Sequence, residues 1–265
     1  MKPAPFDYGG AEDLAAAKAA LAGEGVKPAA GTQSLGPMMN LRLVRPGALV
    51  DIADLPALRE VRETATSVLI GAAITHAEIE DGEAIDPTPG WMRAAAGNIA
   101  HRAVRNRGTI GGSLAHADPA ADWAIVTTGL GATIHIDGPA GARTLPVEDF
   151  LTGPFTTALA PGELIVAVEI PRPGENARFG YNKYTRQVGE FAKASAVVLD
   201  DPANNRRRAA LGALGGAPRL IEDVDALIEG TLSPEEAVAA TVPDLKVPTL
   251  HVTALTRALA LMDQR

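Results

Sequence analysis

Cysteine is missing from this sequence altogether, which removes disulfides, thiol nucleophiles and any iron–sulfur cluster held by the chain's own thiolates. Redox chemistry on this chain needs another cofactor. Aromatic residues are scarce at 4%, so the core of a chain that is 46% hydrophobic has to be built from Ala, Val, Leu and Ile. No apolar run reaches the roughly 18 residues that a spanning helix requires, so no integral membrane segment is expected. The stretch from Met1 to Asp7 lacks the apolar centre of a signal peptide, and the expected location is cytoplasmic. Basic clusters are few: Arg206-Arg207-Arg208 has no interleaved aromatics, the net charge is -8, and nucleic acid is excluded as an expected partner.

What is abundant is punctuation. The 27 glycines and 20 prolines among 265 residues imply short elements joined by turns, and the length suits two packed units better than one. The pattern predicts a helix over 12–22, closed by Gly23 and Gly25, then strands over 26–30 and 48–52. Strands follow over 59–64 and 67–71, and Thr75 is placed to cap a helix. Ala-rich helices are predicted over 91–104 and 120–130, with strands over 132–137 and 164–170. After the linker Pro171-Arg172-Pro173-Gly174 come strands over 179–185, 195–200 and 207–214. Helices follow over 224–229, 234–240 and 250–262, the strands-then-helices order of an α+β domain.

Special residues are densest from Arg105 to Asp122, where Gly108-Thr109-Ile110-Gly111-Gly112-Ser113 precedes His116, Asp118 and Asp122. Glycines let backbone approach a ligand closely, and successive N–H groups beside a hydroxyl can cradle a diphosphate. The same residues also describe a strand-turn-helix connection in which Gly111 and Gly112 make the bend and Asp118 caps a helix opening at Pro119. A second loop, Gly31-Thr32-Gln33-Ser34, is ambiguous alone. The pair is more informative than either, because a long dinucleotide needs contacts from more than one loop. No G-x-G-x-x-G or G-x-x-x-x-G-K-[ST] pattern occurs, which disfavours a Rossmann unit and a nucleotide hydrolase. No G-x-S-x-G elbow surrounds Ser34, Ser113 or Ser195. His116, Asp118 and Asp122 offer metal-competent donors and leave a metal-dependent hydrolase as an alternative, although Pro119 interrupts their helical spacing.

Ala29-Ala30-Gly31-Thr32-Gln33-Ser34-Leu35, Pro37 to Arg42, Asn106 to Ser113 and His116 to Asp122 together resemble the FAD-binding medium subunits of the carbon monoxide dehydrogenase and xanthine dehydrogenase group of molybdenum hydroxylases. The resemblance covers nearly the whole chain.

It implies a two-subdomain FAD-binding α/β unit of the vanillyl-alcohol-oxidase type over 1–172, divided near residue 55, and a C-terminal α+β domain over 173–265. It implies FAD as the one redox centre, with no metal and no catalytic side chain. Ala29 to Gly36 and Thr109 to Gly112 would wrap the diphosphate through backbone amides. Ser113, His116, Asp118 and Asp122 would surround the ribityl and diphosphate portions, Ile99 and Ile165 would lie beside the cofactor, and Lys183 would stand close to the flavin. The family often has two glycines where this chain has Ala30-Gly31, so Ala30 must keep an ordinary backbone conformation. The implied partners are a large molybdenum-cofactor subunit and a small [2Fe-2S] subunit, as a dimer of heterotrimers. That complex could lie peripherally on the inner face of the membrane. The implied electron acceptor is a quinone, NAD or oxygen. A self-contained FAD-dependent oxidase is the alternative of the same broad fold.

Overall fold

The computed structural model describes residues 2–264. Its first layer is a small parallel sheet of β1 (Asp7–Gly10), β2 (Val26–Ala29) and β3 (Ala48–Asp51) in the order β1-β3-β2. Helix α1 (Leu14–Leu21) crosses between the first two strands, its N-terminus capped by Asp13, which accepts from the Ala16 N–H at 2.7 Å. Parallel strands place their carboxyl ends on one side, where ligands of α/β sheets gather. The chain leaves the carboxyl end of β2 into residues 30–34 and then α2 (Leu35–Asn40).

After α3 (Pro56–Arg59) come β4 (Val61–Glu63), β5 (Ser67–Gly71), α4 (His76–Asp81), α5 (Trp91–Gly97), α6 (Arg102–Arg105), α7 (Ile110–His116) and α8 (Asp122–Leu130). The next elements are β6 (Thr133–Asp137), β7 (Arg143–Pro146), α9 (Val147–Phe150), β8 (Leu151–Gly153), β9 (Thr156–Thr157) and β10 (Leu164–Pro171). Five of these strands form an antiparallel sheet in the order β4-β5-β10-β6-β7. Thr75 caps α4 as expected, within a capping box shared with Glu78.

The last part is an antiparallel sheet of β11 (Arg178–Tyr184), β12 (Ala194–Asp201), β13 (Arg206–Gly212) and β14 (Arg219–Leu220). It is followed by α10 (Val224–Glu229), α11 (Pro234–Thr241) and α12 (Thr249–Met262). One face of this sheet packs on those helices through Ala194, Ala196, Val198, Leu211, Leu255 and Ala258. The other face joins the main core, where Phe179, Val197, Leu199 and Ala210 meet Ile125 and Trp123. Helix α8 is the hinge of this arrangement, with all its residues buried between the two larger sheets. Gly129 makes the contact possible, because a Cβ there would fall 2.6 Å from Val197 Cγ2.

The structure departs from the sequence reading in three places that matter for the site. The single helix expected over 91–104 is two, α5 and α6, separated at Asn98–His101 with Ala100 at φ 43°. Its interruption has a tertiary cause: Lys183 Nζ donates to Asn98 O at 2.7 Å, and Arg105 Nη1 donates to Ile99 O at 2.9 Å. Gly111 and Gly112 do not make a bend; they lie inside α7, which Thr109 caps through the Gly112 N–H at 3.0 Å. Helix α8 opens at Asp122 rather than at Pro119, and Asp118 instead closes a short turn by accepting from the Ala120 N–H at 2.9 Å.

Candidate cofactor site

A cavity of about 740 Å³ runs between the carboxyl end of the small parallel sheet, α7 and the edge of the C-terminal sheet. That is within the 300–1,000 Å³ range of pockets that hold cofactors and other small ligands. One end is built by residues 30–34. Among the described residues, the N–H groups of Gly31, Thr32, Gln33 and Ser34 have no protein acceptor. Bare successive amides are costly when buried and form an anion nest when a ligand meets them. Thr32 is held at φ 57°, a left-handed conformation that costs a non-glycine residue roughly 1–2 kcal/mol and turns its amide relative to its neighbours. Ser34 stands at the start of α2 without capping it, so its hydroxyl is also free of that role. Ala30 keeps a negative φ, which meets the condition set by its replacement of a glycine.

Gly31 is fixed by crowding rather than by its φ. A Cβ there would run into the Arg107 carbonyl oxygen and lie 2.6 Å from its carbon and 2.8 Å from Gly108 Cα. The two sequence motifs are therefore in direct backbone contact. Gly111 is crowded in the same way, with an added Cβ 2.5 Å from Ala72 Cβ and 2.7 Å from Ala72 O.

Of the amides of the second motif, Thr109 to Gly112, only the Thr109 N–H lacks a protein acceptor among the described residues. Ile110 N–H donates to Ile74 O at 3.0 Å, Gly111 N–H to Ala72 O at 2.9 Å, and Gly112 N–H to Thr109 Oγ1 at 3.0 Å. Sequence reasoning gave this segment and residues 29–36 the same role as amide donors. In the fold, α7 is stitched to the segment after β5, and its glycines shape the wall instead.

Ala30, Gly31, Thr32, Gln33, Ser34, Leu35, Ile99, Thr109, Gly111, Gly112, Ser113, His116, Asp118, Asp122 and Ile165 all line the cavity. Ala29, Gly36, Ile110 and Lys183 do not. Ala29 and Ile110 are turned into the core, Gly36 lies within α2, and Lys183 sits behind Asp122. Lys183 Nζ is 2.9 Å from Asp122 Oδ1, and Tyr181 Oη donates to the same carboxylate at 2.6 Å. Burial pushes the Asp122 carboxyl up, while the Lys183 charge and the two hydrogen bonds pull it back. With both oxygens engaged, Asp122 is a poor donor to a metal shared with His116 and Asp118, which counts against the hydrolase alternative.

Sequence reasoning missed several wall residues. His76 lines the cavity with its Nδ1 accepting from Trp123 Nε1 at 3.0 Å, and burial beside Arg105 lowers its pKa to about 4. The imidazole is thus neutral, with the proton on Nε2. Phe155 packs on His116 with ring centroids 5.2 Å apart, and burial lowers the His116 pKa against the pull of Asp118. Gly189, Glu190 and Phe191 arrive from the β11–β12 connection. No local signal marks these residues, because their place at the site is set by how the C-terminal sheet docks.

The residues fit FAD by three tests: bare amides for a diphosphate, a cavity of about 740 Å³, and an apolar lining that includes Ile99, Leu159 and Ile165 for a ring system.

Comparison with known proteins bears on the same residues. Residues 5–173 match the family described as FAD binding domain in molybdopterin dehydrogenase. The 6-hydroxypseudooxynicotine dehydrogenase complex subunit alpha of Paenarthrobacter nicotinovorans is 37% identical, across 97% of this chain and 91% of its own. The carbon monoxide dehydrogenase medium chain of Afipia carboxidovorans is also 37% identical, across 75% of this chain and 70% of its own. Among solved structures, reconstituted CO dehydrogenase from Oligotropha carboxidovorans superposes with a TM-score of 0.92 at 30% identity, over 100% of both chains.

Proposed function

The chain belongs to the FAD-binding medium subunits of the molybdenum hydroxylases, a family of oxidoreductase subunits, and from that premise we propose that it passes electrons from a partner iron–sulfur subunit through FAD to an external acceptor. The observation that carries this reading is the cavity itself. It runs from the bare amides of Gly31 to Ser34 to the Asp122–Lys183 pair, and both of those carboxylate oxygens are already engaged.

Bound FAD would supply reversible two-electron chemistry. The chain's residues then have positioning roles. Gly31, Thr32, Gln33 and Ser34 direct N–H groups at the diphosphate, and Gly111, Gly112 and Ser113 shape the facing wall. Ile99 and Ile165 keep water from the ring system. Asp122, tied to Lys183 and Tyr181, holds the C-terminal sheet against the cavity. Three units follow from this assignment: 1–55 with the diphosphate loop, 56–172 with the opposite wall, and 173–265 as the cover. The missing elements of a hydroxylase, a molybdenum-cofactor subunit and a [2Fe-2S] subunit, come from partners in a dimer of heterotrimers. The test is reconstitution. The purified chain should release FAD on denaturation and should co-elute with its two partner subunits. A chain that oxidises organic substrates alone would replace this reading with a self-contained oxidase.

A further inference from the structure

The connection between α5 and α6 is held far more firmly than two short helices require. Three consecutive carbonyls are captured by cations: Asn98 O accepts from Lys183 Nζ at 2.7 Å, and Arg105 Nη1 donates to Ile99 O at 2.9 Å and to Ala100 O at 3.2 Å. Arg105 is itself fixed by Glu80 of α4, with Nε donating to Oε2 at 2.7 Å and Nη2 to Oε1 at 3.0 Å. Its side chain is only 12% exposed, so the guanidinium is committed to these partners rather than to water.

Ala100, the residue at the centre of this grip, has a φ of 43°, a left-handed conformation disfavoured for every residue but glycine. The β11–β12 connection closes on the same peptide, since a Cβ on Gly189 would lie 2.9 Å from Ala100 O. A turn that only joins two helices reaches its shape with a glycine and leaves its carbonyls to water. Strain kept in place by a half-buried ion pair points to a local task.

That task follows from the planarity of the peptide bond. In a trans peptide the C=O and the N–H point in opposite directions, and Ile99 O faces Arg105, so the Ala100 N–H faces away from it. Ile99, Ala100 and Val104 line the cavity, whereas Arg105 and Glu80 do not. Among the described residues the Ala100 N–H has no protein acceptor. An unmet donor is thus turned from the ion pair to the side on which Ile99 and Ala100 meet the cavity.

Resting on the reading of this cavity as the FAD site, we propose that Arg105, braced by Glu80, is a positioning residue for the flavin. It turns the 99–100 peptide so that the Ala100 N–H donates to the ring system, and this raises the potential at which the cofactor is reduced. Arg105 touches neither cofactor nor substrate. Reduction adds electron density to the ring, so a fixed donor stabilises the reduced form more than the oxidised one. Glu80 offsets the charge of the guanidinium, which leaves the aim of the peptide as the agent.

The experiment is an anaerobic reductive titration of the full FAD-loaded chain against a reference dye of known potential. Arg105→Met is expected to lower the midpoint by about 30 mV, the two-electron equivalent of a tenfold change in the ratio of reduced to oxidised cofactor. Arg105→Lys keeps the charge but loses the fork that spans both carbonyls and Glu80, and should show most of the same fall. Arg102→Met is the control. Arg102 also pairs with Glu80, at 3.0 Å, but its other bonds go to Asp81 and Asn106 rather than to residues 98–100, so the midpoint should stay at the parent value. Weaker FAD binding that is equal in both oxidation states does not move this reading. A parent-like midpoint in Arg105→Met or in Arg105→Lys overturns the proposal, as does a fall in Arg102→Met as large as that in Arg105→Met. If Arg105→Met does not fold, Arg105→Lys decides alone. A parent chain that takes up no FAD refutes the assignment of the cavity, and the proposal with it.

Discussion

Replacing Gly31 by alanine should eject FAD while leaving most of the fold in place. The added Cβ would sit 2.6 Å from the Arg107 carbonyl carbon and 2.8 Å from Gly108 Cα, where ordinary contacts need more than 3.4 Å. Those neighbours are backbone and cannot rotate away. Relief therefore requires residues 30–34 and 107–109 to separate by about an ångström, and overpacking of this kind costs roughly 1–3 kcal/mol. The separation would act on the amides of Thr32, Gln33 and Ser34, whose aim depends on that contact. A loss of about 1–3 kcal/mol corresponds to a dissociation constant raised some 5- to 150-fold. Gly36→Ala is the control: nothing lies within 4 Å of its would-be Cβ, and a helical glycine replaced by alanine gains roughly 0.5–1 kcal/mol. Fluorescence titration of the apo chain with FAD measures both. If Gly31→Ala binds FAD as tightly as the parent, the close approach of the two loops does not set the cofactor site.

Two further outcomes follow from the buried charges. Lys183→Met strands the Asp122 carboxylate, whose side chain is 6% exposed, and should cost about 3–5 kcal/mol in urea unfolding. Adding Asp122→Asn to it should recover much of that loss, and no recovery would mean that the pair is not coupled. His76 titrates near 4 in the fold against an ordinary 6.5, so folding favours its neutral form. The sign follows: its contribution is complete above pH 6.5 and is lost as pH falls toward 4, by about 3 kcal/mol in all. His76→Gln should therefore flatten the fall in thermal midpoint between pH 6.5 and 4 relative to the parent, and parallel curves would contradict the assignment.

Much of this was legible in the sequence because it is local. Thr75 announces a helix start by its side-chain chemistry, and the helix over 224–229 coincides with α10. The two glycine-bearing loops were recognisable as a pair. What escaped reading is long-range. Gly111 and Gly112 carry the composition of a turn, yet they sit in a helix that Thr109 caps, with Gly111 pressed against Ala72. The break at Asn98–His101 is made by Lys183 and Arg105, which capture its carbonyls from outside the segment. Lys183, expected close to the flavin, is delivered by β11 to Asp122, a residue of the cavity wall, and does not line the cavity itself. His76 and Phe155 carry no motif at all; docking of Trp123 and of Ala117 places them.

The most direct test of the central claim is rapid-scan spectroscopy of the chain assembled with its two partner subunits. On addition of the complex's organic substrate, the iron–sulfur absorbance should bleach first and the visible flavin band of this chain afterwards, while the isolated chain given the same substrate should stay oxidised. A flavin band that bleaches in the isolated chain, or one that stays oxidised in the assembled complex while the iron–sulfur centres are reduced, would contradict it.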